Sequence, residues 1–346
     1  MERVRKVDRL RCLVTGSAGF VGSNLVRTLL ARDCAVHGFD RAPASFDDPK
    51  LTWFRGDVRD EGSLRDACDG VDTIFHTAAM IETVTYAPKP FADLVRSVNI
   101  DGTRTLLRVA QESGVRRLVH TSSIITASEG AQRGTTEAAP YSKAPDLYST
   151  TKVVSEQLVL GANDESGLLT SAVRPGGIYG PGERNTIVGP MVKSIKQGAP
   201  LVMFGDGAAR LDYTYIDNLV DGQIRAAERL VEGSPVCGQA YFVTDGDPMN
   251  AGAFGQTLVS NMDLDTRSVR VPGVVGRVLA AASERVFQVF GKPKPPVSLV
   301  DIELCLRDSY FSIDKAKRDL GYKPLVDTEE GLRRTAEEAR VYYESL

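Results

Sequence analysis

A tyrosine and a lysine four residues apart, Tyr148 and Lys152, are the pair in this 346-residue sequence best suited to acid–base chemistry. On a helix, positions i and i+4 share one face, so the lysine ammonium group would lie near the phenol. A nearby positive charge stabilises the phenolate and lowers a phenol pKa that is otherwise about 10, and the tyrosine can then act as a base near neutral pH. The spacing alone is common on surface helices, so the interpretation depends on where this helix begins.

A serine that precedes this pair in the chain lies where its hydroxyl could take part in the same chemistry. The predicted helix Leu147–Leu160 follows a buried strand predicted over Arg117–Ser122, and Ser123 comes directly after that strand, 25 residues before Tyr148. Its hydroxyl could face the same cleft and hydrogen-bond the oxygen of a substrate. A serine at the end of a strand is also a common turn former, and the spacing does not separate the two roles.

Three glycines at three-residue spacing, Gly16, Gly19 and Gly22, join the first predicted strand to the first predicted helix. Gly16 would permit a tight turn, Gly19 a close approach of the backbone to a pyrophosphate, and Gly22 close packing of helix on strand. The helix begins with Phe20 and Val21, and its N-terminus would receive the phosphates. The glycines alone are weak evidence, but their position after the first strand predicts a dinucleotide site.

A carboxylate lies where such a site binds ribose. Asp40 ends the second predicted strand, 18 residues after Gly22, and could accept hydrogen bonds from both hydroxyls of the adenosine ribose. It would repel a 2′-phosphate, so NAD is the predicted cofactor, while the neighbouring Arg41 would still allow NADP.

Asp57 and Val58 follow the third predicted strand. At the carboxyl edge of a sheet they could hydrogen-bond the adenine amino group and pack on its ring. Asp57 could equally cap the helix that begins near Glu61, and the spacing does not decide between these roles.

Strands and helices alternate over the first half of the chain, which predicts an α/β fold with a Rossmann-type, doubly wound parallel sheet. The predicted strands are Arg11–Thr15, Ala35–Phe39, Leu51–Phe54, Thr73–Thr77, Arg117–Ser122 and Leu169–Arg174, and the helices are Phe20–Ala31, Glu61–Cys68, Asp93–Ser113 and Leu147–Leu160. Beyond Pro175 the alternation breaks, with one return to strand at Gln239–Thr244. We predict an NAD-binding domain over residues 1–177, to which 212–247 return, and a smaller interleaved C-terminal substrate domain over 178–211 and 248–346.

Composition excludes several classes of function. The 42 basic and 45 acidic residues nearly cancel, without a long run of either sign, so a nucleic-acid partner is not expected. The cysteines lack zinc-site or disulfide-framework spacing, and the three histidines lie in predicted strands, so no metal site is expected. The residues concerned are Cys12, Cys34, Cys68, Cys237, Cys305, His37, His76 and His120. The charged N-terminus and the absence of a long uncharged apolar run predict a cytoplasmic protein.

An amphipathic helix is predicted over Val274–Phe290, with apolar residues at helical spacing. Its apolar face could pack on its own domain, line a substrate pocket or contact a membrane peripherally.

Taken in order, these motifs resemble the extended short-chain dehydrogenase/reductase superfamily across the whole chain. The matching residues are the glycine motif, Asp40, Asp57-Val58, Ala78-Ala79, Asn99, Ser122-Ser123, Tyr148 and Lys152. The resemblance implies that Tyr148 is the general base or acid and that Ser123 orients the substrate oxygen. It further implies that Lys152 also binds the nicotinamide ribose and that Asn99 steadies the active site. The cofactor site it implies extends to Ala78, Ala79, Asn99, Ser122, Tyr148, Lys152, Pro175 and Ile178.

Four further segments resemble bacterial 3β-hydroxysteroid dehydrogenase/isomerases: Phe39–Pro43, Asp146–Tyr148, Gly238–Phe242 and Tyr310–Ala316. This implies NAD-dependent oxidation of the 3β-hydroxyl of a sterol-like, apolar alcohol. No membrane anchor like that of the vertebrate members is evident, and no residue is identified as an isomerase acid or base.

Two other interpretations remain. Arg210–Asn218 is a segment shared with nucleotide-sugar epimerases and dehydratases, in which Arg210 would bind a diphosphate. A catalytically idle NAD-binding scaffold would not need the tyrosine, lysine and serine together. The superfamily resemblance also implies a homodimer, formed by the helices that contain Asn99 and Tyr148.

Overall fold

The computed structural model describes residues 10–165 and 167–346, so the charged N-terminus lies outside the described residues. The strands are β1 (Arg11–Thr15), β2 (Ala35–Asp40), β3 (Leu51–Arg55), β4 (Thr73–His76), β5 (Arg117–Thr121), β6 (Gln132–Thr135), β7 (Leu169–Pro175), β8 (Gly177–Tyr179), β9 (Leu201–Phe204), β10 (Arg210–Leu211), β11 (Tyr213–Tyr215), β12 (Gln239–Val243), β13 (Met249–Asn250), β14 (Ser268–Val271) and β15 (Ser309–Phe311). The helices are α1 (Phe20–Ala31), α2 (Glu61–Cys68), α3 (Lys89–Arg96), α4 (Gly102–Glu112), α5 (Leu147–Gly161), α6 (Val188–Lys196), α7 (Ile216–Arg229), α8 (Ala251–Asn261), α9 (Gly273–Phe290), α10 (Leu299–Leu306), α11 (Asp314–Leu320) and α12 (Thr328–Ser345).

Seven strands form one parallel sheet in the order β12-β7-β5-β4-β1-β2-β3. The direction of strand addition reverses between β1 and β4, and at such a switch point the loops after the two strands diverge and leave a crevice. This confirms the Rossmann-type, doubly wound sheet predicted from the sequence.

Alternating side chains of the sheet build a core on each face. In β1, Cys12 and Val14 join the apolar core that includes Leu25 of α1, while Leu13 joins the core on the opposite face with Leu106 of α4. Parallel strands covered by helices on both faces are buried on both sides, which explains why every residue of β5 and β7, and all of β1 except Arg11, is buried.

The helix predicted over Asp93–Ser113 is longer and less regular than expected. It begins at Lys89, where Pro90 suits a first helical turn, and a π-helical turn over Ser97–Asp101 separates α3 from α4. Such turns recur at functional sites because they re-aim a side chain within a helix. The side chain concerned here is that of Asn99.

Residues 212–247 contribute β12 to the edge of the sheet and α7, which packs on α1, β5 and β7. Residues 178–211 and 248–346 contribute three strands of a four-stranded sheet, β13-β10-β15-β6, the strand pair β14-β9, and the helices around them. One strand of that smaller sheet, β6, comes from the first half of the chain. The division into two domains stays a prediction.

Helix α9 is the amphipathic helix predicted over Val274–Phe290. Its buried residues are Gly276, Ala280, Glu284 and Phe287, whereas most of the apolar residues of the predicted face are exposed. None of the described helices is long and apolar enough to cross a membrane.

Candidate active site

The glycine motif forms the tight turn after β1. Gly16 has φ +72°, and a Cβ there would lie 2.7 Å from the backbone nitrogen of Ala78, at the end of β4. A Cβ on Gly22 would overlap the carbonyl oxygen of Gly16. Only glycine fits at these two positions, so the turn presents bare backbone to the crevice between β1 and β4.

Helix α1 begins at this turn with Phe20 and Val21, and Gly19 is its N-cap. Among the described residues, no side chain caps this N-terminus, and its first turn contains no acidic residue. Its first N–H groups are therefore available to an anion, and the helix dipole favours a negative charge at this end.

Asp40 is held in place by the backbone around it. Its Oδ2 accepts a hydrogen bond from Ala18 N in the glycine turn (3.0 Å), and its Oδ1 accepts one from Ala42 N (3.0 Å). The carboxylate therefore lies beside the glycine turn. The neighbouring Arg41 side chain is largely exposed, with Nε 3.9 Å from Asp57 Oδ2.

Asp57 is paired with an arginine rather than with a helix end. Arg59 donates to its two carboxylate oxygens at 2.8 and 2.7 Å, and this hydrogen bonding holds the pKa of Asp57 below its usual value. The residue that caps α2 is Asp60, whose side chain accepts from Gly62 N at 3.1 Å. The capping alternative for Asp57 is thus wrong, and the carboxylate remains in the crevice.

These elements enclose a cleft of about 230 Å³. Eight of the predicted cofactor residues line it: Gly16, Gly19, Asp40, Arg41, Asp57, Val58, Ala78 and Ala79. Five other lining residues were not predicted to bind the cofactor: Phe39, Gly56, Thr77, Met80 and Val98. Each is a direct sequence neighbour of a predicted cofactor residue, and this adjacency is the signal by which it could have been found. A bare-backbone turn at a helix N-terminus, with a carboxylate farther along the cleft, fits a dinucleotide.

The remaining predicted cofactor residues lie outside this lining: Phe20, Val21, Gly22, Asn99, Ser122, Tyr148, Lys152, Pro175 and Ile178. Pro175 ends β7, next to β5 in the sheet, and Ser122 N donates to Val173 O at 2.8 Å. Ile178 lies in β8, opposite Thr214 of β11.

The structure brings Tyr148, Lys152 and Ser123 together beyond the carboxyl end of β5. Helix α5 begins here because Asp146 caps it, accepting from Ser149 N at 2.8 Å. Lys152 Nζ lies 5.9 Å from the centre of the Tyr148 ring and donates to Thr121 O at 2.7 Å. The Ser123 hydroxyl lies near the Tyr148 phenol and acts to lower its pKa.

Burial dominates the proton equilibria of this group. It raises the pKa of Tyr148 to about 12, although the nearby Ser123 hydroxyl acts in the opposite direction. It lowers the pKa of Lys152 to about 8, which the negative charge of Glu156 partly offsets. Burial thus favours the neutral phenol, which keeps its proton, and the neutral amine, which has lost one. A further charge in the site would change these protonation states.

A buried ion pair lies behind Lys152. Arg174 donates to Glu156 through Nη2 (2.5 Å to Oε1) and Nε (2.9 Å to Oε2), and Ser122 Oγ donates to Oε2 at 2.5 Å. The Ser122 hydroxyl is therefore committed to Glu156. Sequence analysis missed this pair, although Glu156 follows Lys152 by four residues and so shares its helix face.

Asn99 connects three elements around the site. Its Oδ1 accepts from Met80 N (2.8 Å), and its Nδ2 donates to Met80 O (2.9 Å) and to Thr151 Oγ1 on α5 (3.0 Å). Its carbonyl oxygen accepts from Ser155 Oγ at 2.8 Å. These bonds hold α5 against the loop after β4, so we assign Asn99 a positioning role.

A second cleft, of about 330 Å³, lies between the start of α5 and α10. Asp146 and Ser149, on either side of Tyr148 in the chain, line it, as does Ile125 from the turn after Ser123. Its apolar residues include Pro145, Leu299, Val300 and Leu304. Helix α10, and not α9, forms its far wall.

The remaining residues considered in the sequence, His76, the cysteines and Arg210, lie away from the two clefts or make contacts within the fold. His76 is buried between the hydroxyls of Thr15 and Thr103 (2.8 and 3.0 Å), and burial lowers its pKa to about 3. Among the residues that the structure describes, no two cysteines form a disulfide and no group of three or more potential metal ligands occurs. The guanidinium of Arg210 lies over the ring of Tyr310, 4.8 Å from its centre.

The chain is similar to known proteins over most of its length. The model of the 3-beta hydroxysteroid dehydrogenase/isomerase family matches residues 13–272. The chain is 41% identical to a Mycobacterium tuberculosis "3 beta-hydroxysteroid dehydrogenase/Δ5→4-isomerase", over 97% of this chain and 91% of that protein. It is 32% identical to the human "sterol-4-alpha-carboxylate 3-dehydrogenase, decarboxylating", over 98% of this chain and 91% of that protein. A dTDP-glucose 4,6-dehydratase from Streptomyces venezuelae, solved with NAD and TYD bound, superposes with a TM-score of 0.76 at 25% identity, over 97% of this chain and 98% of that one.

Proposed function

This chain belongs to the 3-beta hydroxysteroid dehydrogenase/isomerase family, and we propose that it oxidises the 3β-hydroxyl of a steroid or sterol-like substrate to the ketone with NAD as cofactor. The observation that carries the proposal is the grouping of Ser123, Tyr148 and Lys152 at the carboxyl edge of the sheet that also forms the dinucleotide cleft. The mycobacterial relative's name includes an isomerase, but no residue of this chain is assigned to that step.

The cleft supports a cofactor without a 2′-phosphate. The glycine turn and the N-terminus of α1 would hold the pyrophosphate, and Asp40 would accept hydrogen bonds from the adenosine ribose. When bound, the nicotinamide supplies the hydride acceptor. Its positive charge would also favour the phenolate of Tyr148 over the neutral phenol.

The chain's own groups move the proton. Ser123 hydrogen-bonds the reacting oxygen and orients it towards Tyr148, whose phenolate oxygen takes the hydroxyl proton. Lys152, held by Thr121 O, stabilises the phenolate electrostatically. The second cleft, whose lining includes Asp146 and Ser149 from the start of α5 and apolar residues of α10, would receive the ring system of the substrate.

Replacing the base tests this assignment. We expect Tyr148→Phe to lower kcat by roughly 10² to 10⁴-fold while NAD binding, followed by fluorescence titration, is retained. Turnover is followed by NADH absorbance with NAD or NADP and a panel of 3β-hydroxysteroids beside UDP-sugars. Tyr310→Phe, a tyrosine outside the site, serves as the matched control. Near-normal activity in Tyr148→Phe would refute the mechanism.

The nucleotide-sugar alternative has weaker support. The sugar-modifying neighbours share the fold at about one quarter identity, whereas the steroid relative is 41% identical over nearly the whole chain. Turnover of a UDP-sugar, with no steroid oxidised in the same panel, would restore that alternative.

The proposed partners follow from the same assignment. We also propose a homodimer through the helices that contain Asn99 and Tyr148, as the superfamily resemblance implies. Light scattering of the purified protein checks this. We also propose a cytoplasmic location with peripheral contact to lipid, because a sterol-like alcohol is itself held in membranes.

A further inference from the structure

A buried carboxylate on helix α9 binds backbone N–H groups of two separate segments. Glu284 is fully buried. Its Oε2 accepts from Thr85 N (3.0 Å) and Tyr86 N (3.1 Å), and its Oε1 accepts from Leu299 N (2.8 Å). Burying a carboxylate is costly unless strong hydrogen bonds replace its hydration, and hydrogen bonds from backbone N–H groups to a charged oxygen are of that kind. The side chain therefore fixes the backbone of both segments.

Both of these segments line the second cleft. One is residues 82–86, which follow β4 and which we call the strap, and the other is the start of α10. Thr85 and Tyr86 of the strap line the cleft, as does Leu299, the first residue of α10. Glu284 thus joins two parts of the cleft wall, although it does not itself line the cleft.

The strap is also attached to the helix that contains Tyr148. Leu147 N, at the start of α5, donates to Val84 O in the strap at 3.3 Å. The strap therefore connects the start of α5 with the start of α10, the two elements between which the second cleft lies. Releasing the α10 end of this connection would change the separation of the two elements.

We infer that Glu284 is a positioning residue for the substrate, because it holds the strap against the start of α10 and so sets the width of the second cleft. This inference rests on the proposed function, in which the cleft receives a rigid ring system. A cleft of fixed width suits a rigid substrate, since neither partner then loses much conformational freedom on binding. Glutamine cannot replace Glu284, because its amide nitrogen cannot accept a hydrogen bond and would face at least one of the backbone N–H groups.

Steady-state kinetics of Glu284→Gln test the effect on the substrate. We expect KM for the steroid to rise by at least about tenfold, whereas KM for NAD should stay within about twofold. The matched control is Glu183→Gln. Glu183 is buried, lies outside the lining of both clefts, and accepts hydrogen bonds from the five backbone N–H groups of residues 185–189. A merely structural role would affect both variants alike, so an equal rise of the steroid KM in both would refute the inference, as would an unchanged KM in Glu284→Gln.

Hydrogen exchange of the full chain tests the contact without turnover. The amides of Thr85, Tyr86 and Leu299 should exchange at least about tenfold faster in Glu284→Gln, and at the wild-type rate in Glu183→Gln. Mass spectrometry of peptides that cover these amides measures the rates, and unchanged exchange would refute the contact. If the wild-type chain oxidises no steroid, the proposed function fails, while the exchange rates still decide whether Glu284 holds the strap.

A second variant covers the case in which Glu284→Gln does not fold. Two outer contacts join the same segments: Lys294 Nζ lies 2.5 Å from Glu82 Oε2, and Thr83 Oγ1 donates to Asp301 Oδ2 at 3.3 Å. The Lys294 side chain is 53% exposed, so this pair is weaker than the buried contact. Lys294→Gln with Thr83→Val should raise KM for the steroid by about twofold to fivefold. An unchanged KM in this variant would refute the inference.

Discussion

At the scale of single residues, the surroundings of Lys152 control the proton state of the site. Burial lowers its pKa to about 8, and the carboxylate of Glu156 limits that decrease. His76 adds no second positive charge there, because burial lowers its pKa to about 3. The lysine therefore loses its proton close to the pH range in which a dehydrogenase is assayed, and activity should depend on Glu156.

Replacing Glu156 should move the pH profile. In Glu156→Gln the negative charge that raises the pKa of Lys152 is gone, so the lysine should lose its proton at lower pH. The alkaline limb of kcat/KM against pH should shift to lower pH, with activity at pH 9 reduced by about threefold to tenfold.

A stability measurement separates this effect from a structural one. Glu156→Gln also breaks a buried pair with Arg174, which costs about 3–5 kcal/mol, so its thermal midpoint should fall. A purely structural role would lower kcat/KM at every pH and leave the limb in place. Glu156→Asp, which keeps the charge, should restore the limb.

Cofactor preference should depend on Asp40. Asp40→Asn keeps the shape of the side chain but removes the charge that opposes a 2′-phosphate. We expect KM for NAD to rise by about tenfold and the preference for NAD over NADP to shrink, since a charged hydrogen bond contributes about 1.5–3 kcal/mol. Asp47→Asn, an exposed carboxylate nearby, is the control. Unchanged kinetics with both cofactors would place the ribose elsewhere.

Much of the site is readable from the sequence because its chemistry is local. Tyr148 and Lys152 share one helix turn, and Gly16 and Asp40 follow strands that end at the same sheet edge. Arg174 could not be found this way, since only the packing of α5 on β7 brings it to Glu156, 18 residues away in the chain.

At the scale of elements, the turn between β1 and α1 sets how closely helix and strand approach. Gly22→Ala would place a methyl group on the carbonyl oxygen of Gly16. We expect NAD affinity to fall by at least about tenfold and the free energy of unfolding by about 1–3 kcal/mol, as for other overpacked sites. Isothermal titration and urea unfolding measure the two effects.

Gly161→Ala is the matched control for that substitution. Gly161 is the last residue of α5, and nothing lies within 4 Å of a Cβ there. Alanine should therefore stabilise the protein by about 0.4–1 kcal/mol without changing NAD affinity. If both variants bind NAD equally well, close packing at Gly22 is not required for the site.

Helices and strands that are long enough to show a hydrophobic periodicity could be predicted from the sequence, whereas the shortest elements could not. The helices α1, α2 and α5 and the central strands agree with the sequence to within a residue or two. Strands such as β10 and β13 contain two residues each, too few for any alternation to show. The π turn at Asn99 also has no periodic signal, because its extra residue is accommodated by contacts with α5.

At the scale of the whole molecule, buried carboxylates connect the interleaved segments. Asp212 Oδ2 accepts from Phe311 N at 2.7 Å and so joins β15 to the segment between β10 and β11. Asp245 accepts from Tyr215 N (2.8 Å) and from Asn218 Nδ2 (2.7 Å) beyond the end of β12. Such long-range contacts depend on the completed fold, which is why sequence periodicity beyond Pro175 indicated so little.

These carboxylates should make the protein less stable as pH rises. Burial raises the pKa of Asp212 to about 7 and that of Asp245 to about 6, so the folded state keeps protons that the unfolded chain releases near pH 4. Stability contributed by Asp212 is therefore present below about pH 4 and is lost as pH rises to about 7, by up to roughly 4 kcal/mol. In Asp212→Asn, urea unfolding between about pH 4 and pH 8 should show a shallower decline. Asp314→Asn is the control, since that exposed carboxylate has a lowered pKa and affects stability only in acid. Equal declines in Asp212→Asn and wild type would mean that Asp212 ionises normally in the folded protein.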